Sequence, residues 1–126
     1  MIRLDTIPYA RFLGIKIERD DQGLVCILPF RKEIVGNDRL PAIHGGVVGA
    51  FLEMTAFMQL LAQSDAERAP RPINFNIDYL RSAGPHETRG RAEIVKHGRR
   101  IANVRVVAWQ TDPDKPVAAG IGNFLL

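Results

Sequence analysis

Four residues around the start of an apolar run have types and spacing that fit catalysis: His44, Gly45, Gly46 and Glu53. Glu53 is the only charged residue in the run that follows the glycines. An ionised carboxylate inside an apolar helix is costly unless something compensates it, so its retention indicates a use. The glycine pair offers unobstructed backbone N–H groups at a helix start, where negative charge is favoured. A site for an oxyanion next to a buried carboxylate favours acyl chemistry.

The length and composition of the chain predict one domain, spanning residues 1–126, with an ordinary hydrophobic content of 46%. The single cysteine, Cys26, lies in an apolar stretch, which is typical of a core residue and compatible with a reducing cytoplasm. The N-terminus lacks the pattern of a secretion signal. The apolar run is short for a membrane span and has Glu53 at its middle, so we expect a buried helix and a cytoplasmic protein.

The charge pattern and the motifs limit the classes of ligand and cofactor that the protein is expected to bind. A formal net charge of +3 fits a phosphate-bearing ligand, and no dense Lys/Arg tract indicates nucleic acid. No set of His, Cys and Asp residues has the spacing of metal ligands. No phosphate-binding glycine loop or dinucleotide fingerprint appears. We therefore expect neither a metal nor a cofactor.

Hydrophobic periodicity and turn residues predict the elements that position these groups. We expect a short helix over 7–13, a hairpin over 15–28, a loop over 29–43, a long helix over 45–63, and strands over 73–79, 88–96, 100–110 and 117–125. The fold class is α+β, with an antiparallel curved sheet wrapped around one long apolar helix. A helix that is apolar nearly all round keeps an exposed flank beside one sheet, which predicts a homodimer or a dimer of dimers.

The order of elements and the residues within them resemble the hotdog-fold acyl-CoA thioesterases, in particular the phenylacetyl-CoA-type group with its His-Gly-Gly motif. The resemblance covers about Phe12 to Phe124. Its most specific part is Asn37, the His44-Gly45-Gly46 triplet and an acid nine positions after the histidine. The stretch Asn76–Arg81 is similar to that family's strand after the helix. Gly98-Arg99-Arg100 is similar to its hairpin near the phosphates of CoA.

Two positions depart from the family pattern. Glu53 stands where much of the family has aspartate, although related hotdog enzymes use glutamate. Pro72 stands where many members carry a serine or threonine early in the strand after the helix. Any help from that hydroxyl is absent here or comes from Asn74 or Asn76, which lie on the polar face of the predicted strand.

The resemblance implies hydrolysis of an acyl-CoA thioester to the free acid and CoA, with catalytic roles for Glu53, Gly45, Asn37 and His44. The Gly45 N–H, with Gly46 as a possible second donor, would stabilise the oxyanion. Glu53 would act as general base on water or attack directly to form an anhydride. Asn37 would orient the water or the carboxylate, and His44 would support the loop or the leaving thiolate. The expected substrate-binding residues are Gly46, Arg81, Gly98, Arg99, Arg100, Asn74 and Asn76.

The spacing of Gly45 and Glu53 constrains where they can meet. They are eight residues apart, which is roughly 12 Å along one helix, so a carbonyl held at the helix start is out of reach of Glu53 in the same chain. Antiparallel helices across a symmetric dimer would bring them together. The expected site takes Asn37, His44 and Gly45 from one subunit and Glu53 from the other.

Alternative interpretations remain open at this point. Gly45 and Gly46 also suit a helix entry that needs small residues, and Asn37 suits a plain turn. A non-catalytic module that binds acyl-CoA or a small ligand would keep the basic residues and need no carboxylate. A hotdog dehydratase is the third candidate, but that chemistry usually pairs an acid with a histidine, and no second histidine has an evident place.

Overall fold

The computed structural model describes residues 4–37, 39–63 and 68–126, which form two α-helices, eight strands and two short 3-10 turns, at Leu4–Thr6 and Lys32–Ile34. In chain order the helices and strands are α1 (Pro8–Leu13), β1 (Lys16–Asp20), β2 (Gly23–Leu28), β3 (Val35–Asn37), β4 (Leu40–Ile43), α2 (Gly45–Gln63), β5 (Arg71–Tyr79), β6 (Thr88–His97), β7 (Ile101–Trp109) and β8 (Ala118–Leu125).

Six of the strands form one antiparallel sheet in the order β1-β2-β6-β7-β8-β5. This confirms the predicted α+β architecture of a curved sheet around one long helix. The sheet is not a simple meander after α2, because β5 lies at the far edge beside β8 and not beside β6. Its end is tied to the start of β8 by the Leu80 and Arg81 N–H groups, which both donate to the Val117 carbonyl, at 2.9 and 3.1 Å.

The predicted loop over 29–43 was wrong in part, because it contains a separate two-stranded hairpin of β3 and β4. The strands are too short and too rich in breakers to show an alternating pattern. A bond from a distant part of the chain supports them, since Ile43 N–H donates to the Ala83 carbonyl at 2.8 Å. Asp38 lies outside the described residues.

Helix α2 packs one side against the concave face of the sheet, above β6, β7 and β8. The fully buried side chains on that side include Phe51, Leu52 and Thr55. The closest approach is at Gly90 of β6, where a Cβ atom would lie only 2.9 Å from the Phe51 ring. The helix is long and apolar enough to cross a membrane by composition, but here it is the core helix of the domain.

The two edges of the sheet differ in length and polarity. Edge strand β1 has five residues and carries Lys16, Glu18, Arg19 and Asp20. Charged side chains and shortness are the usual protection of an edge against pairing with another chain. Edge strand β5 has nine residues, and its Ile73 side chain is 52% exposed. Arg71, Pro72 and Asp78 protect only the ends of β5, so its middle is less protected than the β1 edge.

The ring of Phe75 fastens β5 to β8 on the concave face. It lies across two glycines of β8, Gly120 and Gly122, and meets the buried Phe124 edge-on with the ring centroids 6.3 Å apart. A Cβ atom on Gly122 would collide with Phe75 Cδ2 and would lie 2.5 Å from the backbone oxygen of Asn74. The glycines are thus required by the close approach of an aromatic ring and of a neighbouring strand.

Replacing Gly122 with alanine is expected to lower the free energy of unfolding by about 1–3 kcal/mol, because a methyl group there overpacks the β5–β8 contact. Denaturant titration measures the change. Gly84→Ala is the matched control, since its Cβ atom would meet nothing closer than 3.4 Å. Equal stability of the two variants would contradict this description of the β5–β8 contact.

Candidate active site

The start of α2 is held in place by backbone bonds on both sides. His44 N–H donates to the Ile34 carbonyl at 2.8 Å, and the His44 carbonyl accepts the N–H groups of Val47 and Val48 at 3.0 and 3.1 Å. Gly45 therefore follows β4 directly as the first residue of the helix. The first N–H groups of any helix lack partners within it, so these glycine amides are available for other acceptors.

The N–H groups of Gly45 and Gly46 differ in their hydrogen bonding. Gly46 N–H donates to Nδ1 of His44 at 2.9 Å. Among the hydrogen bonds of residues 4–37, 39–63 and 68–126, none takes up the N–H of Gly45. The donor open to an oxyanion is therefore the N–H of Gly45. The expectation that Gly46 is a second donor is not supported, because the imidazole of the preceding residue already occupies it.

The same bond defines the state of His44. A nitrogen that accepts an N–H carries no proton, so the neutral ring holds its hydrogen on Nε2. Two glycines enclose the ring: a Cβ atom would lie 3.0 Å from ring atoms of His44 if placed on Gly36 or on Gly46. Gly36 was not predicted as a site residue, and the sequence presents it only as part of a turn.

Tyr79, at the end of β5, contacts the helix start from the opposite side. Its hydroxyl donates to the Gly45 carbonyl at 2.8 Å, and its ring lies 3.6 Å from the position of a Gly45 Cβ atom. Sequence reasoning considered Tyr79 only as one of the residues that could line a pocket for the acyl chain, and it missed this contact with the helix start. The only available signal was its place in the Asn76–Arg81 stretch that resembles the family strand.

A crevice of about 390 Å³ opens beside Gly45. Tyr79, Arg81 and Ser82 line it, and the guanidinium of Arg81 is fixed by a 2.9 Å bond from Nη1 to the Pro116 carbonyl. The structure therefore brings two of the predicted residues, Gly45 and Arg81, to one crevice. A basic side chain beside an open backbone donor suits a substrate that carries negative charge.

Glu53 lies on the side of α2 that the sheet does not cover. It is half-buried, and it has no hydrogen bond or ion pair in the part of the chain that the structure describes. At 3.6 residues per turn it falls about 20° around the helix axis from Gly46 and about 40° from Phe57. We call this side the open flank; it consists of Gly46, Ala50, Glu53, Met54 and Phe57, all incompletely buried.

Asn37 lies in the β3–β4 hairpin and adopts a turn role. Its side-chain oxygen accepts the N–H of Arg39 at 3.0 Å, which leaves the amide NH₂ as its remaining donor group. This contact matches the plain-turn interpretation, and nothing in it connects Asn37 with Glu53. If Asn37 orients the water or the carboxylate, only its side-chain NH₂ group is free to do so.

The predicted basic hairpin forms a second cavity, of about 650 Å³, between β6 and β7. Gly98, Arg99 and Arg100 line it together with Lys96, which sequence reasoning did not include. The tight turn needs glycine, because a Cβ atom on Gly98 would lie 2.9 Å from the Ile101 carbonyl oxygen. Within one protomer this hairpin lies at the opposite end of the sheet from Gly45.

The structure places Asn74 and Asn76 on the convex face, away from α2. Asn74 Oδ1 accepts the backbone N–H and the side-chain amide of Asn123, both at 3.2 Å, and Asn123 in turn accepts from Asn103 at 3.0 Å. These three asparagines form a ladder across β5, β8 and β7. The structure therefore does not bring Asn74 or Asn76 near Glu53 or Gly45 of the same chain.

The single cysteine has no role in this site. Burial raises the pKa of the Cys26 thiol to about 11, and a hydrogen bond with Thr55 opposes the shift only in part. The thiolate is the nucleophilic form of cysteine, so Cys26 is a core residue and not a nucleophile.

Comparison with known proteins identifies the class of protein that has these features. The curved sheet, the core helix and the open glycine amide define a hotdog-type protein, and the family model described as the thioesterase superfamily matches residues 40–117. The chain belongs to the thioesterase superfamily.

Individual relatives agree with this assignment. A curated relative from Salmonella typhimurium, the medium/long-chain acyl-CoA thioesterase YigI, is 25% identical over 121 residues, covering 84% of this chain and 77% of the relative. A crystal structure from Chromobacterium violaceum is 38% identical, with a TM-score of 0.79 over 98% of this chain and 85% of that one. A protein from Ralstonia eutropha, described as phenylacetic acid degradation-related, is 25% identical, with a TM-score of 0.84 over 95% of this chain and 90% of that one.

Proposed function

We propose that the protein hydrolyses acyl-CoA thioesters in the cytoplasm and belongs to the phenylacetyl-CoA-type group of its superfamily. The observation that carries the proposal is the Gly45 N–H, at a helix start beside a crevice, which has no acceptor within residues 4–37, 39–63 and 68–126. Glu53, a carboxylate with no partner in those same ranges, lies on the open flank of the same helix. The names of the Salmonella and Ralstonia relatives support an acyl-CoA substrate and an aromatic or aliphatic acyl group.

The proposed site requires two copies of the chain. The open flank of α2 and the middle of the β5 edge lie side by side, since a Cβ atom on Gly49 of α2 would lie 2.9 Å from Ile77 of β5. A second copy that pairs along β5 would extend the sheet and cover both surfaces at once. It would also bring an apolar environment around Glu53.

The two-fold axis has a defined position in this arrangement. For the partner's Glu53 to lie level with Gly45, the axis must cross the antiparallel helices midway between these residues, at Gly49. Because Gly49 contacts Ile77, the paired β5 strands would face each other at Ile77 and its counterpart.

The position of this axis also determines whether the basic hairpin of the same chain or that of the partner lies closer to the site. With a rise of about 3.3 Å per residue and a strand spacing of about 4.8 Å, Arg100 of the same chain lies about 28 Å from Tyr79 across the sheet. The partner's Arg100 would lie about 20 Å from it. The partner's hairpin cavity is therefore the nearer anion site for the phosphates of CoA, with Arg99, Arg100 and Lys96 as cations.

The chemistry follows from these positions. The Gly45 N–H, a fixed donor at a helix start, donates a hydrogen bond to the thioester oxygen as negative charge develops there. The partner's Glu53 removes a proton from water as the water oxygen attacks the carbonyl carbon, or its carboxylate attacks directly and the anhydride is then hydrolysed. The C–S bond breaks, the thiolate of CoA takes up a proton, and the free acid departs.

Replacing Glu53 with glutamine is expected to lower the rate of thiol release from acyl-CoA by about 10²- to 10⁴-fold, the usual contribution of a general base, with the fold intact. Glu93→Gln, at an exposed acid on β6, is the matched control and should retain the wild-type rate. Turnover of Glu53→Gln equal to that of the control would refute the proposal, and tight binding of intact acyl-CoA without hydrolysis would favour a binding module instead.

An engineered disulfide tests the position of the axis. In a Cys26→Ser background, Ile77→Cys is expected to oxidise to a covalent dimer, because residue 77 faces its own counterpart across the axis. Ile73→Cys is the matched control: its counterpart would lie about 26 Å away, too far for a disulfide. Non-reducing gel electrophoresis distinguishes the two variants. Cross-linking through residue 73 and not through residue 77 would exclude this pairing.

A further inference from the structure

The peptide unit between Gly45 and Gly46 is held at both ends by side chains. Its carbonyl accepts the Tyr79 hydroxyl at 2.8 Å, and its N–H donates to Nδ1 of His44 at 2.9 Å. Tyr79, one peptide group and the imidazole thus form a continuous chain of hydrogen bonds. These hydrogen bonds lie next to the Gly45 N–H, which belongs to the preceding peptide.

The arrangement around Tyr79 is specific although the residue is 57% exposed. Its hydroxyl lies 3.3 Å from the position of a Cβ atom on Gly49, and its ring lies 3.6 Å from that of a Gly45 Cβ atom. These glycines are four residues apart and lie on one face of the helix. The tyrosine therefore packs along the first turn of α2, where a Cβ atom on Gly49 would crowd its hydroxyl and one on Gly45 would be in ordinary contact with its ring.

The hydrogen bonds from Tyr79 to His44 affect one another through the polarisation of the peptide between them. The Gly45 carbonyl has two lone pairs and can accept the Tyr79 hydroxyl in addition to the helical N–H of Gly49. Donors on the carbonyl polarise the peptide, which makes its own N–H a stronger donor to His44. A stronger donor at Nδ1 holds the hydrogen of the neutral ring on Nε2.

We propose that Tyr79 is a positioning residue that acts through the Gly45–Gly46 peptide to fix the orientation and tautomer of His44, so that the Nε2–H of His44 is the second donor of the site. This rests on the proposed thioesterase function. Because Gly46 N–H is occupied, Gly45 is the backbone donor that remains from the glycine pair. The imidazole Nε2–H supplies a second, either to the oxyanion or to the departing thiolate.

Tyr79→Phe tests the proposal, because it keeps the ring and removes only the hydroxyl. The turnover number kcat is expected to fall about five- to ten-fold, the effect of one hydrogen bond of about 1 kcal/mol, with KM within about two-fold of wild type. The chain has only two tyrosines, so Tyr9→Phe on α1 is the matched control and should leave kcat unchanged.

A second readout does not depend on activity. Nitrogen-15 NMR of the three histidines reports the tautomer of each ring, and His44→Gln identifies the signals of His44. Wild type and Tyr9→Phe should show His44 with its hydrogen on Nε2, and Tyr79→Phe should shift it toward Nδ1. An unchanged tautomer or an unchanged kcat in Tyr79→Phe overturns the proposal.

The outcomes separate this inference from the function on which it rests. If wild-type protein hydrolyses no thioester, the proposed function fails, whereas the NMR comparison still decides whether Tyr79 controls His44. If wild-type protein hydrolyses thioesters and Tyr79→Phe matches Tyr9→Phe in kcat, only the positioning role fails. Thermal unfolding of both variants shows whether a loss of activity reflects a loss of structure.

Discussion

The N–H of Gly45, which has no acceptor among the described residues, is the interaction on which the proposed site depends. Helix starts always have amides without partners, and the usual solution is a capping side chain. In this chain the cap comes from the imidazole of His44, which reaches Gly46 and leaves Gly45 open. The enclosing glycines, the bond to the Ile34 carbonyl and the Tyr79 hydroxyl all keep that geometry fixed. A donor held rigidly before substrate arrives needs no reorganisation during the reaction.

A second constraint follows from helix geometry. The carboxylate that would complete the proposed chemistry is eight residues farther along the same helix, and α-helices do not bend enough to close that gap. In the proposed mechanism each protomer accordingly contributes half of a site at each of two places, the helix start and the open flank. It also presents the long edge of strand β5 beside them. Strand pairing, helix coverage and assembly of the site are thus one event in the proposed dimer, and Tyr79 lies at the point where the paired strand meets the helix start.

The sequence carried the features that depend on local pattern. The apolar run identified α2, the alternation of polar and apolar residues identified β5, and breakers located the turns at Asp20–Gly23 and His97–Arg99. The lone acid and the glycine pair were visible because composition alone makes them unusual.

Other features depend on contacts between distant residues, and no local pattern encodes them. The pairing of β5 with β8 follows from the ring of Phe75 over Gly120 and Gly122. The β3–β4 hairpin was missed because its strands are short and its support comes from Ala83. The bond from the Gly46 N–H to the imidazole depends on the rotamer of His44. The bond from the Tyr79 hydroxyl to the Gly45 carbonyl joins residues 34 positions apart.

The most direct test of a shared site is activity in a mixed dimer. Gly45→Pro removes the backbone donor at the first helical position, where proline is tolerated, and Glu53→Gln removes the carboxylate. Each variant alone should be inactive. Co-expressed with two different tags and purified as a heterodimer, they leave one complete site, built from Gly45 of one chain and Glu53 of the other. This heterodimer is expected to have about half of the wild-type activity per dimer, and an inactive heterodimer would contradict a site shared between two chains.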